Sequence, residues 1–357
     1  MGSSDLSPTI KSTLDGGVAI PAHPLALDAN RKLDERRQRA LSRYYIDSGV
    51  GGLAVGVHTT QFEIRQAKFG LFKPVLQLAA EEMDRADYQR QTPLVRIAGI
   101  VGQTSQAVSE AELLRDTGYH AGLLSLAAMK TADEDTLIAH CKAVADVIPL
   151  VGFYLQTAVG GMPLSYEFWR RFVEIPNVVA IKMAPFNRYQ TFDVIRAVIE
   201  AERDNIALYT GNDDNIVMDL LTPYCINVNG KSVTRRIVGG LLGHWSVCTR
   251  KAVTLLQECH AIVAAGGDVP RWMMHKAMAV TDSNAAFFDA ANQYQGVICG
   301  LHEVLRRQGL LAGTWCLNPD ETLGPGQAEE IDRVYRAYPD LHDDQFVAQH
   351  LDQWLSG

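Results

Sequence analysis

Two residues in this chain carry the types and spacing that could do covalent chemistry on a carbonyl. Lys182 ends the apolar run "VVAIKMAPFN" that starts at Val178. An ammonium partly desolvated among Val, Ile and Met is disfavoured, so the pKa falls and some free amine exists near neutrality. A free amine attacks a ketone to give an imine, an electron sink for making or breaking the adjacent C–C bond. Tyr154, in "PLVGFYLQ", lies 28 positions earlier, at the end of the preceding strand-like run. A phenol beside the amine is a proton relay for forming and dehydrating the carbinolamine. The bland alternatives are a rim lysine in a salt bridge and an aromatic that caps the end of its strand.

These two residues need elements that bring successive strand ends together. Short apolar runs recur: "GGLAVGV" from Gly51, "LVRIAGIVG" from Leu94, "HAGLLSL" from His120, "PLVGFYL" from Pro149, "VVAIKM" from Val178 and "IALYTG" from Ile206. From Leu94 onward they start 26 to 29 residues apart, the length of a βα unit. Between them lie helical patterns, such as "PLSYEFWRRFVEIP" with Ser165 as an N-cap and "SQAVSEAELLRDTG" starting at Ser105. Continuous apolar strands alternating with helices predict a parallel sheet covered on both faces. With "GGVAIPAHPL" from Gly16 and "GHWSV" from Gly243 there are eight strands, which favours an α/β fold of the (β/α)8 TIM-barrel type over an open sheet. No G-x-G-x-x-G follows the first strand, which weakens the open-sheet alternative further.

The expected division is a barrel over residues 1–248, holding the site, and a C-terminal helical appendage over residues 249–357. "CINVNGKSVTRRIVGG", from Cys225 to Gly240, interrupts the pattern before the last strand and reads as a small hairpin for packing or subunit contact. In such a barrel, chemistry sits at the C-terminal strand ends, where Lys182 lies.

Bulk properties exclude several classes. The 357 residues are 47% hydrophobic and 21% charged, with net charge −8, which argues against nucleic acid or an anionic membrane as partner. The six cysteines are scattered without a C-x-x-C pair, so neither a zinc site nor a disulfide framework is indicated, as expected for reduced thiols in a cytoplasmic protein. The opening "MGSSDLSPTIKST" lacks the apolar stretch of a secretory leader, and no segment approaches the ~20 apolar residues of a membrane span.

"GFYLQT" followed by "VVAIKMAPFN" resembles the tyrosine and lysine strands of the dihydrodipicolinate synthase / N-acetylneuraminate lyase superfamily, the Schiff-base class I aldolases of 2-oxo acids. "GVAIPAHPL", "SGVGGLAVGVHTT", "YTGNDDNI" and "GHWSV" are similar to other segments of that family's barrel. The resemblance implies a lyase, aldolase or dehydratase acting on pyruvate or another 2-oxo acid through an imine on Lys182, with Tyr154 moving protons. It implies no cofactor beyond that covalent imine, no metal, a small-molecule 2-oxo acid as partner, and a homo-oligomer, dimer or tetramer. The family's G-T-T-G-E falls without gaps on Gly56, Val57, His58, Thr59 and Thr60, so backbone amides from Gly56 to Thr59 are expected to hold the substrate carboxylate. A shifted register using Thr59 and Thr60 would restore two hydroxyls.

Departures bear on the substrate. Val159 stands where the synthases carry a carboxylate-gripping arginine, so true synthase activity is not expected. The resemblance implies a relay threonine where Val57 stands, a carboxylate-binding threonine where His58 stands and, in "SLAAMKT" from Ser125 to Thr131, a missing tyrosine that would cross from a neighbouring subunit, so either His58 shuttles protons or catalysis is impaired and the barrel binds a 2-oxo or sugar acid as a regulatory protein. His23 sits where the family has its T-P turn and joins the expected binding set, as a ligand-facing or a structural histidine. Asn212 and Asp213 either bind substrate hydroxyls or cap the next helix. Trp245 either walls the site or fills the core. A metal-dependent aldolase would need ligands beyond His23 and His58.

Overall fold

The computed structural model describes residues 6–356. Met1–Asp5, part of the stretch read for a leader, and Gly357 lie outside the described residues. Ten strands run in chain order: β1 Ala19–Pro21, β2 Gly52–Val55, β3 Val95–Ile100, β4 Ala121–Leu124, β5 Leu150–Leu155, β6 Val178–Ala184, β7 Ala207–Thr210, β8 Tyr224–Val228, β9 Lys231–Arg235 and β10 Gly239–Leu242. Eight of them form one parallel sheet in the order β1-β10-β7-β6-β5-β4-β3-β2. The bridge Ala22↔Ala54 and the His23 N–H to Ala54 O bond of 2.8 Å join its two edges, so the sheet closes as a TIM barrel.

The strands read as continuous apolar runs because both faces are covered. Inward-facing Ile20, Ile97, Leu123, Val151, Phe153, Tyr209 and Leu241 fill the barrel. Outward-facing Leu53, Ile100, Tyr154, Ile181 and Met183 pack under the helices. The floor is sealed by the helix Pro8–Gly16, capped by Ser7, whose Ile10 and Leu14 join the inner cluster. The Tyr209 hydroxyl donates to Leu14 O at 2.8 Å and accepts from Val18 N at 3.2 Å, tying that helix to β7.

One irregularity matters for the site. Between β5 and β6 the pairing starts as Leu150↔Val178 and then shifts to Val151↔Ala180, so Phe153 lies opposite Lys182 and Tyr154 opposite Met183. Val179 is the extra residue, a bulge.

Two sequence expectations are corrected. The last barrel strand is Gly239–Leu242, and His244–Ser246 of "GHWSV" is a single 3-10 turn. Two glycines hid that strand, and both are needed: a Cβ on Gly239 would stand 2.7 Å from Val18 O, and one on Gly240 would stand 2.6 Å from the Trp245 ring. The helix expected to start at Ser105 spans Thr104–Asp116 and follows Gln103. Ser165 does cap Tyr166–Phe172, accepting from Phe168 N. β8 and β9 form the expected hairpin, with Asn229 and Gly230 both at positive φ in the turn.

Beyond the barrel, helices span Thr249–Ala265, Arg271–Phe287, Val297–Arg307, Gln327–Ala337 and Asp344–Ser356. The stretch from Asn284 to Gly309 is broken by residues 288–296, where Asp289, Gln293 and Tyr294 adopt positive φ. The terminal helix returns to the barrel: Trp354 Nε1 donates to Asp47, and Asp343 accepts from Tyr44, Arg250 N and Lys251 N. No helix among the described residues is long and apolar enough to cross a membrane.

Candidate active site

Lys182 points into the mouth of the barrel from the C-terminal half of β6 and is only 8% exposed. Its Nζ lies 4.6 Å from the centre of the Phe153 ring and makes no hydrogen bond or ion pair with another group among the described residues. Gly211, just beyond β7, makes room for it: a Cβ there would stand 2.5 Å from Lys182 Cε. Burial holds the ammonium below the usual lysine range, and the Asp213 carboxylate offsets part of that effect. Asp213 shares the cavity. Its Oδ1 accepts from His244 N at 3.0 Å. Burial pushes its carboxyl above the ordinary value, against the opposing pull of the His244 N–H and of Lys182.

The cavity, about 60 Å³, also takes in Val57, His58 and Thr59 from the segment after β2. Burial, and then the charge of Lys182, push the His58 imidazole down to about 4, so it is neutral near pH 7. The turn His58–Thr60 uses the N–H groups of Thr60 and Gln61, which bond to Val57 O at 3.0 Å and His58 O at 2.9 Å. The amides of His58 and Thr59 have no acceptor among the described residues. Thr59 Oγ1 is committed to Ala22 O at 2.8 Å, and Thr60 Oγ1 to His23 O at 2.6 Å, so the shifted register does not restore the two hydroxyls lost at Val57 and His58. A poised amine, a carboxyl, a neutral imidazole and two free amides therefore meet at one cavity. That set can form an imine, move protons around it and hold an anion.

The structure does not bring all the expected residues there. Tyr154 faces the helical layer, 5.4 Å from the Trp169 ring. Its hydroxyl donates to Leu164 O at 3.1 Å and accepts from Leu164 N at 3.2 Å. The bulge at Val179 puts Phe153, which has no hydroxyl, opposite Lys182 instead. His23 is buried away from the cavity, bonded to Ser42 Oγ at 2.9 Å and Pro24 O at 2.8 Å, and it shares no site with His58. Asn212 is structural: Oδ1 accepts from Phe186 N, and Nδ2 donates to Thr191 Oγ1 and Asp219 Oδ2. Asn215, rather than Asp213 or Asp214, precedes the next helix, Ile216–Leu221. Trp245 is a core residue over Gly240. Gly56 turns the chain at φ +68° but does not line the cavity.

Sequence reasoning missed Phe153, Gly211 and Phe186, and it missed Phe288 and Val297, which reach the cavity from the helical region after the barrel. "TGN" after a strand and the ring beside Tyr154 were the available signals.

Comparison with known proteins agrees with the barrel fold. Residues 17–242 match the Dihydrodipicolinate synthetase family. A 4-hydroxy-tetrahydrodipicolinate synthase of Desulforudis audaxviator is 27% identical over 260 residues, covering 70% of this chain and 80% of that protein. N-acetylneuraminate lyase 2 of Escherichia coli O6:H1 is 25% identical over 205 residues, 57% of this chain and 63% of the lyase. A prophage protein of the dihydrodipicolinic acid synthase family from E. coli K12, solved in complex with pyruvate, superposes with a TM-score of 0.70 at 17% identity, covering 90% of this chain and 98% of that one. The chain belongs to the dihydrodipicolinate synthetase family of aldolases and lyases, as a divergent member whose barrel carries Phe153 opposite its mouth lysine.

Proposed function

We propose that the protein is a Schiff-base lyase or aldolase of a 2-oxo acid, with pyruvate as the common fragment. The observation that carries this reading is Lys182: a buried amine without an ion-pair partner among the described residues, its ammonium disfavoured, in the wall of a cavity. Lys182 Nζ adds to the C2 ketone and water leaves, giving an imine. The free amides of His58 and Thr59 receive the carboxylate. Among the described residues no tyrosine lines the cavity, so proton transfer falls to Asp213, whose raised carboxyl can both give and take a proton near neutrality, with neutral His58 as its counterpart. The imine comes from the chain's own lysine, so this chemistry needs no bound cofactor. A synthase reaction with a second carboxylated substrate is disfavoured, because no arginine lines the cavity. The same reading places the protein in the cytoplasm as a homo-oligomer, a dimer or tetramer, which light scattering on the purified protein would decide.

The test is borohydride reduction in the presence of pyruvate followed by peptide mass spectrometry. The expected product is a carboxyethyl adduct on Lys182. No adduct there with pyruvate or with longer 2-oxo acids overturns the reading.

A further inference from the structure

Asp213 meets the Lys182 cavity from the loop 211–215, between β7 and the helix Ile216–Leu221. Within that loop Asp213 N reaches Gly211 O at 3.2 Å, a weak hold for a group that must present its carboxyl to an amine. The stronger holds come from outside the barrel. We propose that Asn284 and Thr281, on the helix Arg271–Phe287, are positioning residues that set the Asp213 carboxyl against the Lys182 amine. This inference rests on the imine reading above.

The two side chains stand three residues apart, on one face of their helix. Asn284 Nδ2 donates to Asp213 O at 2.6 Å, and Thr281 Oγ1 donates to Asp214 O at 3.0 Å. A peptide unit is planar, so a bond to the Asp213 carbonyl fixes the plane that follows Asp213 and limits where its side chain can point. Two successive carbonyls are gripped in this way.

The carboxyl is backed by the same helix end. Asp213 Oδ1 accepts from His244 N at 3.0 Å. The His244 ring stacks on Phe287, 6.0 Å away at 21°, and a Cβ on Gly243 would stand 2.9 Å from Phe288 Cζ. Main chain and side chain of Asp213 are therefore both set from the stretch 281–288.

Asn284 carries a cost that a part in folding alone does not explain. The residue is buried, and its Oδ1 has no hydrogen-bond partner among the described residues. An unanswered buried acceptor lowers stability. Turning the amide over would set that oxygen against Asp213 O, so the side chain serves one bond.

The titratable groups around Asp213 make a clear readout possible. Burial holds the imidazoles of His58 and His244 down to about 4, so both are neutral near pH 7. Asp214 is paired with Arg188 at 3.4 Å. Lys182 is then the group whose titration a displaced Asp213 carboxylate would move.

The test measures borohydride trapping of pyruvate on Lys182 against pH for the parent, Asn284→Ala and Thr281→Val, each also in an Asp213→Asn background. Asn284→Ala is expected to lower the high-pH plateau about tenfold. It should also move the rise of the profile to lower pH, because the carboxylate that favours the ammonium has left it. Thr281→Val keeps the shape, drops the hydroxyl, and should do the same by about threefold. In the Asp213→Asn background both substitutions should change the plateau by less than about twofold and leave the profile in place. A part in folding alone would lower the melting temperature without moving the profile, and would do so in both backgrounds. If Asn284→Ala fails to fold, Thr281→Val decides. A parent-like plateau and profile in the folded variants, or effects of equal size in the two backgrounds, overturns the inference while the imine reading stands. If no 2-oxo acid traps on Lys182 of the parent protein, both fall.

Discussion

Two buried charge pairs stand at the C-terminal end of this barrel, and they differ in how their charges are answered. Arg65 and Glu110 are 7% and 9% exposed. Arg65 Nε lies 3.0 Å from both Glu110 oxygens, and Nη2 donates to Gly56 O and Gly99 O. Glu110 also accepts from Val101 N and Gln106 Nε2. Lys182 and Asp213 are buried as deeply, yet no ion pair within 4.0 Å joins them, and their main hydrogen bond is the one from His244 N to Asp213. The first pair buttresses the turn that leads to His58. The second is left with electrostatic demand that a substrate can meet. Buried charge that is answered gives rigidity, and buried charge that is left short gives reactivity.

Variants can break or sharpen this contrast. The largest effect is expected from Lys182→Ala, which should abolish adduct formation and lower turnover more than about 10³-fold while leaving the melting temperature at or above that of the parent, because an unanswered buried cation is gone. Glu110→Ala should do the reverse. It strands Arg65 and should cost about 3–5 kcal/mol in urea unfolding, with Lys182 still able to trap pyruvate in the folded fraction. If instead Glu110→Ala is neutral in stability, the two pairs do not differ as described.

Gly211→Ala pushes on Lys182 Cε and, at 2.8 Å, on Ala184 Cβ, so it should reduce the trapping rate about 10²-fold through misplacement of the amine and cost about 1–3 kcal/mol of unfolding free energy. Asp213→Asn should lower turnover by a similar ~10²-fold and also move the pH profile. Trapping rises as pH passes the Lys182 pKa. The Asp213 carboxylate raises that pKa against burial, so removing its charge should move the rise to lower pH. A shift to higher pH would sink this account of the pair. The smallest catalytic effect belongs to Tyr154→Phe. Trapping should stay within about twofold, while loss of the two Leu164 bonds costs about 1 kcal/mol or somewhat more. A large catalytic loss in this variant would return the phenol to the mechanism.

The barrel was legible because strands buried on both faces are long apolar runs at a regular spacing, and Lys182 stood out as a charge such a run cannot shelter without consequence. The ring opposite it was not legible. Side-chain direction along a strand alternates, so one inserted residue reverses every assignment beyond it, and nothing in "NVVAIK" marks Val179 as that residue. Asn212 and Asp213 are adjacent polar residues, and only the surrounding network shows that the first is consumed by Phe186, Thr191 and Asp219 while the second keeps an oxygen for the cavity. Phe288 and Val297 were read as parts of helices in a separate appendage, because the break at 288–296 depends on residues in the left-handed region that are not glycine. His23 looked like a mouth residue, but Ser42, met only in three dimensions, and the carbonyl of the neighbouring Pro24 hold it elsewhere.

The helix Pro8–Gly16 stops the barrel like a cork, with Ile10 and Leu14 packed into its lower end. The residues that line the Lys182 cavity all lie toward the other end, so the proposed chemistry is served from the mouth. A substitution in the cork would reach the amine through the packing of the strands and not by admitting solvent beside it.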